Sequence, residues 1–446
     1  MRDFLSQRCA DFGADPALVF RGDTYSYNWL VDAAREAEQR IEAGGIADAS
    51  VVAIDGDFSP AAVGLFLALI RKACILVPIS QAARAHASDF CAIAEAEAII
   101  RFAEGDQWGV ESSGRRAAHP LLASLKDKRH PGLVLFSSGS TGKPKAALHD
   151  FSLLLEKFIT PRPKQTMLAF LLFDHIGGIN TLLASLATGG LLVTAADRNP
   201  DAVCGLIARY RIETLPTSPT FLNLLLLSEA HRRHDLSSLK TITYGTEMMP
   251  ESTLARLHAA FPSVRLHQTY GLSEIGIMRT KSESSESLWV KVGGEGFDTR
   301  VRDGLLEVKA RSAMLGYLNA PSPFTDDGWF RTYDAVEAKG EFIRFLGRET
   351  EIINVGGQKV YPAEVESVLQ AMPEVAGAVV RGEKNALLGE IVTARVRTRE
   401  AMSLGEFRKR MRGFCATRLA PYKIPQRVEF LDRPEWGDRF KKVRNV

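Results

Sequence analysis

The sequence predicts an α/β protein, with a large N-terminal domain of layered α/β sheets, a β-barrel-like part and a small C-terminal α+β domain. Three observations carry this. Compact apolar runs alternate with amphipathic helical patterns over about the first 290 residues; short strand-like runs broken by Gly and Asp turns follow; the last hundred residues mix strands and helices. Taken in order, 51–55, 73–78, 98–102, 132–136, 190–194 and 241–245 read as strands, and 27–43, 61–71, 151–158 and 202–210 as helices. Beyond residue 290, 289–293, 300–302, 305–309 and 342–345 read as strands of an antiparallel or barrel-like portion. Then 361–369 and 404–417 read as helices, and 375–381 and 390–396 as strands. The polar turn Gly347-Arg348-Glu349-Thr350 between two apolar strands places a join there, which divides the chain into 1–346 and 347–446.

Composition excludes several classes. With 56 Lys plus Arg against 53 Asp plus Glu, the net charge is +3, too small for non-specific nucleic-acid binding. The longest apolar stretch, 61–70, stops at Arg71-Lys72, far short of the roughly 20 residues of a membrane span. The charged N-terminal octapeptide does not read as a secretory signal, so a cytoplasmic protein is expected. Cys9, Cys74, Cys91, Cys204 and Cys415 stand singly, which argues against a disulfide framework or a zinc site. Residues 401–446 carry a surplus of seven positive charges, either a solvated helix face or a surface for a phosphorylated ligand.

The most informative window is the apolar strand that runs into Ser137-Ser138-Gly139-Ser140-Thr141-Gly142-Lys143-Pro144-Lys145. Small hydroxyl and Gly residues let backbone N–H groups approach an anion, and two lysines follow: a phosphate cradle. It is not a Walker loop, because Pro144 and then Ala146-Ala147-Leu148 lead into a second strand rather than a helix.

This stretch closely resembles the phosphate-binding signature of the AMP-forming adenylating enzymes, among them acyl- and aryl-CoA ligases, peptide-synthetase adenylation domains and beetle luciferases. Further motifs follow in that family's order. His267-Gln268-Thr269-Tyr270-Gly271-Leu272-Ser273-Glu274 resembles the motif whose tyrosine stacks on adenine and whose carboxylate holds Mg²⁺, which implies those roles for Tyr270 and Glu274. Gly245 fits the family's strand end beside the adenine, although Tyr244 stands where a Gly is common. Asp334, at the end of Asp327-Gly328-Trp329-Phe330-Arg331-Thr332-Tyr333-Asp334, matches the acid that accepts the ribose hydroxyls, with Tyr333 in place of the usual Gly. Arg348 would reach ribose or phosphate, and 347–351 would be the hinge, with Thr350 where Asp or Lys is usual.

Near the C-terminus the family places one lysine on the carboxylate and α-phosphate, usually after Ser-Gly. Here Arg439-Phe440-Lys441-Lys442 lacks the Ser-Gly; counting from the preceding strand favours Lys441, and Lys442 stays open. Phe173-Asp174-His175-Ile176-Gly177-Gly178 resembles the motif between acyl pocket and thiol tunnel. His175 fits a CoA ligase, whereas Asp174 suits a site for a substrate ammonium, and both remain candidates.

By resemblance the chain joins a carboxylic acid to ATP as an acyl-adenylate, with Ser137–Thr141, Gly142 and Lys145 on the phosphates, Glu274 on Mg²⁺ and Lys441 on the reacting oxygens. The small domain would then move and admit a thiol, of CoA or of a carrier-protein phosphopantetheine. The mostly apolar stretch 174–270 points to a fatty, aryl or other hydrophobic acid. A binding protein that keeps the fold without catalysis is the reading from another class, and monomer and homodimer are both open.

Overall fold

The computed structural model describes residues 2–138, 143–431, 434, 436–437 and 439–442. Helices begin where the sequence offers a side-chain acceptor. Ser26, Ser59, Asn199, Ser218 and Ser403 each accept from the backbone N–H three residues on, and Pro60, Pro200 and Pro219 occupy first-turn positions where a missing N–H costs nothing.

These helices pack against four main sheets. One has seven strands in the order Arg265–Gln268, Thr241–Tyr244, Thr214–Thr217, Thr166–Ala169, Leu191–Thr194, Pro16–Phe20, Asp23–Ser26, parallel except for the last pair. A second, also of seven, runs Gly316–Tyr317, Pro144–Asp150, Gly132–Ser138, Ile75–Ile79, Val51–Asp55, Ala98–Phe102, Trp108–Ser112. Its centre is parallel and its flanks are antiparallel. Helices Tyr27–Ala43, Pro60–Arg71 and Ile176–Thr188 join strands of both sheets in one core. Helix Pro60–Arg71 is buried on every side from Ala62 to Ile70, so the longest apolar stretch of the sequence is an inner layer. Among the described residues no helix is long and apolar enough to cross a membrane.

The third sheet has six antiparallel strands between Thr280 and Arg348. The last unit pairs Gln358–Val360, Ile353–Val355, Gly389–Thr398 and Val375–Asn385, adds Arg427–Phe430 beside Gly389–Thr398, and packs Pro362–Gln370 and Leu404–Ala416 around its own core. Only the short helical turn Glu349–Glu351 links it to the six-stranded sheet. It is docked on the larger part: Glu251 N donates to Ser367 Oγ at 3.2 Å, and Asn223 Nδ2 to Ala376 O at 3.1 Å.

Most expected elements fall where the pattern places them. The expected helix over 151–158 divides into an α-helix Phe151–Leu155 and a 3₁₀ turn Glu156–Phe158, and the expected strand over 73–78 starts at Ile75. Ala73 has a positive φ of 55°, a turn conformation that no strand tolerates.

Candidate active site

Strands Gly132–Ser138 and Pro144–Asp150 form an antiparallel hairpin in which Ser137 lies opposite Lys145 and the Ser138 backbone opposite Pro144. Gly139, Ser140, Thr141 and Gly142, assigned above to the phosphate turn, lie outside the described residues. At the hairpin mouth Ser137 Oγ donates to Glu274 Oε1 at 3.2 Å, and Tyr317 OH donates to the same oxygen at 2.8 Å. Glu274 is 9% exposed. Lys145 Nζ sits 5.3 Å from the centre of the Tyr317 ring. Buried His149 supports this corner, its ring nitrogens 2.5 Å from Ser273 O and 3.2 Å from Ser312 O. Neither Tyr317 nor His149 is visible in the sequence pattern. Tyr317 lies in a two-residue strand with no period to read, and only its pairing opposite Ala147 brings it over the hairpin.

A second cluster gathers around Asp334. In the hairpin Phe330–Lys339/Phe342–Arg348, Asp334 pairs across from Arg348, whose Nε donates to Asp334 Oδ1 at 3.2 Å. Tyr270 OH donates to Oδ2 at 2.6 Å, and the Tyr270 ring is stacked on Phe345 with centroids 4.6 Å apart. Burial holds the Asp334 carboxyl above the usual carboxylate range, against the pull of Arg348 and Tyr270. Each carboxylate oxygen keeps a further lone pair for a hydroxyl donor.

Next to it, Tyr333 has φ 60° and is 44% exposed. The left-handed conformation costs a non-glycine residue about 1–2 kcal/mol, and glycine gives back about 0.5–1 kcal/mol of that in chain entropy. Tyr333→Gly is therefore expected to raise stability by about 0.5–1 kcal/mol. A urea titration checks it, and a lowered midpoint would mean that the ring's contacts outweigh its backbone strain.

Gly245 follows strand Thr241–Tyr244 where a Cβ would come within 2.6 Å of Thr269 Oγ1 and 2.8 Å of Thr269 O, so only glycine fits against the Tyr270 segment. Tyr244, whose size had left this pocket's shape open, is buried in the core behind the strand.

The third cluster joins the two parts of the chain. His175 caps helix Ile176–Thr188, its Nδ1 accepting from Gly177 N at 3.0 Å. Burial, with Lys441 and Arg439 nearby, lowers its pKa to about 3 and keeps the ring neutral. Two residues into that helix, a Cβ on Gly178 would fall 1.9 Å from Leu172 O, which accounts for the Gly-Gly after the histidine.

Asp174 Oδ2 accepts from Ser80 Oγ and from Arg439 Nη2, both at 2.8 Å. The two candidate lysines diverge. Lys442 Nζ pairs with Glu366 at 2.9 Å, and its backbone N–H donates to Glu247 Oε2 at 3.3 Å. Lys441 is half-buried; desolvation lowers its pKa, and it lies within the fields of Glu247, Arg348, Arg439 and Asp334. Among the described residues its ammonium makes no ion pair.

These three clusters hold a hydroxyl- and lysine-bearing hairpin, the buried carboxylates Glu274 and Asp334, and a lysine from the C-terminal unit. Residues 5–301 match the family described as AMP-binding enzyme, and 364–435 match the AMP-binding enzyme C-terminal domain. The chain belongs to the AMP-binding enzyme family.

Indoleacetate–CoA ligase of Aromatoleum aromaticum is 30% identical over 331 residues, 68% of this chain and 64% of that one. A long-chain-fatty-acid–CoA ligase of Mycobacterium tuberculosis is 27% identical over 323 residues, 67% and 63% of the two chains. The chain thus spans less than two-thirds of the length of these relatives. Among solved structures, ATP-bound MatB from Rhodopseudomonas palustris superposes with a TM-score of 0.78 at 24% identity over 98% of this chain and 97% of that one. The anthranilate–CoA ligase AuaEII in complex with anthranoyl-AMP does so with 0.84 at 19% identity over 99% and 95%. These likenesses show the fold: layered α/β sheets with a separate C-terminal domain.

Proposed function

We propose that this chain activates a carboxylic acid with ATP, forms an acyl-adenylate with release of pyrophosphate, and passes the acyl group to the thiol of CoA. The observation that carries the proposal is that Lys441, from the C-terminal part, lies half-buried within the fields of both Asp334 and Arg348 on the N-terminal part. The CoA-ligase names of the relatives favour the acceptor.

A carboxylate is a poor acyl donor because oxide is its leaving group. Attack on the α-phosphorus of ATP replaces oxide with AMP, and the protein supplies position and charge. Ser137 and Lys145 at the hairpin mouth, with 138–142 between them, would hold the β- and γ-phosphates. Asp334 would accept the ribose hydroxyls, Arg348 would sit beside ribose or phosphate, and Tyr270 and Gly245 would border the adenine. Lys441 would hold the carboxylate and α-phosphate oxygens together as a point charge.

Glu274 suits Mg²⁺. Among the described residues both hydrogen bonds to Glu274 fall on Oε1, which leaves Oε2 for a hard cation of the kind usually held through one or two carboxylates and the substrate phosphates. When bound, Mg²⁺ would neutralise phosphate charge. Neutral His175, at the head of its helix beside Lys441, would border the thiol's approach, and 347–351 would be the pivot that withdraws Lys441. Asp174 Oδ2 is taken by Ser80 and Arg439, while its buried Oδ1 has no partner among the described residues, so a hydrophobic acid is favoured by the apolar stretch 174–270 and not by this carboxylate.

Acid-dependent exchange of labelled pyrophosphate into ATP tests the first step. Exchange is expected with at least one member of a panel of fatty, aryl and indolyl acids, and thioester formation with CoA. Folded protein that exchanges with none would sink the proposal, and thioester formed only on a pantetheinylated carrier protein would move the acceptor from CoA to a carrier.

A further inference from the structure

Away from this site, one group of cations lacks matching acid. Lys157 lies in the 3₁₀ turn Glu156–Phe158, and its ammonium is buried between helix Ile176–Thr188 and strand Gly276–Ile277. It donates to Asn180 Oδ1 at 2.5 Å and to Ile277 O at 2.9 Å. Both acceptors are neutral, and the ammonium also lies 5.0 Å from the centre of the Phe158 ring, so among the described residues no carboxylate answers its charge. Arg279, two residues past Ile277, buries its Nε without a partner among the described residues. Its outer nitrogen meets only the exposed Glu295, at 3.3 Å. Arg162, five residues past Lys157, brings a third charge from the surface. The neighbouring Glu156 is taken by Arg311 at 3.0 Å.

The three cations feel one another. Burial first, then the charges of Arg162 and Arg279, lowers the Lys157 pKa to about 7, and Arg162 is lowered by burial and by Arg279. A buried cation set among like charges costs stability unless something neutralises it. Three positive groups against the single carboxylate of Glu295 leave a surplus of two charges.

We propose that Lys157, Arg162 and Arg279 form a binding site for a tetrahedral oxyanion of the phosphate class. The Lys157 ammonium, the unpartnered Nε–H of Arg279 and the guanidinium of Arg162 are the donors, and a dianion matches their surplus charge. Exposed Arg162 gives it a route from solvent. The site is separate from the phosphate turn: Lys157 is tied to Asn180 and Ile277, not to the hairpin at Ser137 and Lys145. The inference does not rest on the reaction proposed above.

Thermal unfolding of the whole chain is measured against inorganic phosphate, with chloride at matched ionic strength, for wild type, Lys157→Met, Arg162→Gln and Lys145→Ala. Wild type is expected to gain about 1–2 °C near ten times the midpoint concentration. Lys145→Ala should keep that gain, whereas Lys157→Met and Arg162→Gln should lose it. If Lys157→Met fails to fold, the exposed substitution Arg162→Gln decides. No gain over chloride in wild type, a gain that survives in Arg162→Gln, or a gain lost only in Lys145→Ala would each overturn the assignment.

Discussion

Lys441→Ala is expected to slow acid-dependent pyrophosphate exchange by about 10²–10³-fold, the usual loss when one charge-stabilising donor is removed from a transition state. Transfer from a chemically prepared acyl-adenylate to CoA should continue at the wild-type rate. The physical reason is where the charge lies. As the carboxylate attacks, negative charge is shared between its oxygen and the α-phosphate, and a partly desolvated ammonium stabilises that arrangement more than a fully solvated one does. Burial already lowers the Lys441 pKa, so its cation is costly in the free protein and gains most when an anion arrives beside it. Lys442→Ala should behave differently. Its ammonium is held by buried Glu366, so removing it takes that contact from the C-terminal unit without touching the reacting atoms. Half-reaction rates for the two variants discriminate: loss confined to exchange in Lys442→Ala, with Lys441→Ala unaffected, would reverse their roles.

The difference between the two lysines was not legible in the sequence, and the reason is physical. Adjacent residues in an irregular segment share every local signal, so their directions are decided by partners far away: Glu366 for Lys442, and the hairpin around Asp334 for Lys441. Local order was more readable. Helix Tyr27–Ala43 and strands Val51–Asp55 and Ala98–Phe102 match their expected bounds, because period and capping residues are written in consecutive positions. Sheet order is not written that way. The N-terminal strand Pro16–Phe20 lies beside Leu191–Thr194, and the pair Arg439–Asp174 spans 265 positions.

Two departures from the resembled motifs also become intelligible only in three dimensions. Tyr333 and Phe440 stand where glycine is usual, and both keep a glycine-like backbone, φ 60° and φ 49°. Such strain persists where surrounding contacts over-determine it. For Phe440 those contacts are visible.

They lead to the second large effect, expected for Phe440→Ala: a loss of about 10–100-fold in adenylate formation, with thiol transfer from preformed adenylate unchanged. Phe440 immediately precedes Lys441, and its ring lies 5.4 Å from Phe170 and 5.7 Å from Phe221, with Arg198 5.4 Å from its centre. Ser218 Oγ donates to Phe440 O at 2.7 Å, and Phe440 N donates to Gly437 O at 2.8 Å, closing a turn. Arg439 meets buried Asp174 on one side, and Lys442 meets Glu366 on the other. Lys441 is thus aimed by what its neighbours grip, and a shift of about 1 Å in a reacting group costs on the order of 10²-fold. Removing the ring leaves the lysine present but loosely held, so the rate constant should fall while the ATP concentration for half-maximal exchange changes little. Phe440→Leu, which still fills the aromatic socket, should recover most of the rate. Phe440→Gly separates anchor from strain: it frees the backbone but empties the socket, and should be as slow as Phe440→Ala. A glycine variant as fast as wild type would mean that the ring does not hold Lys441 in place.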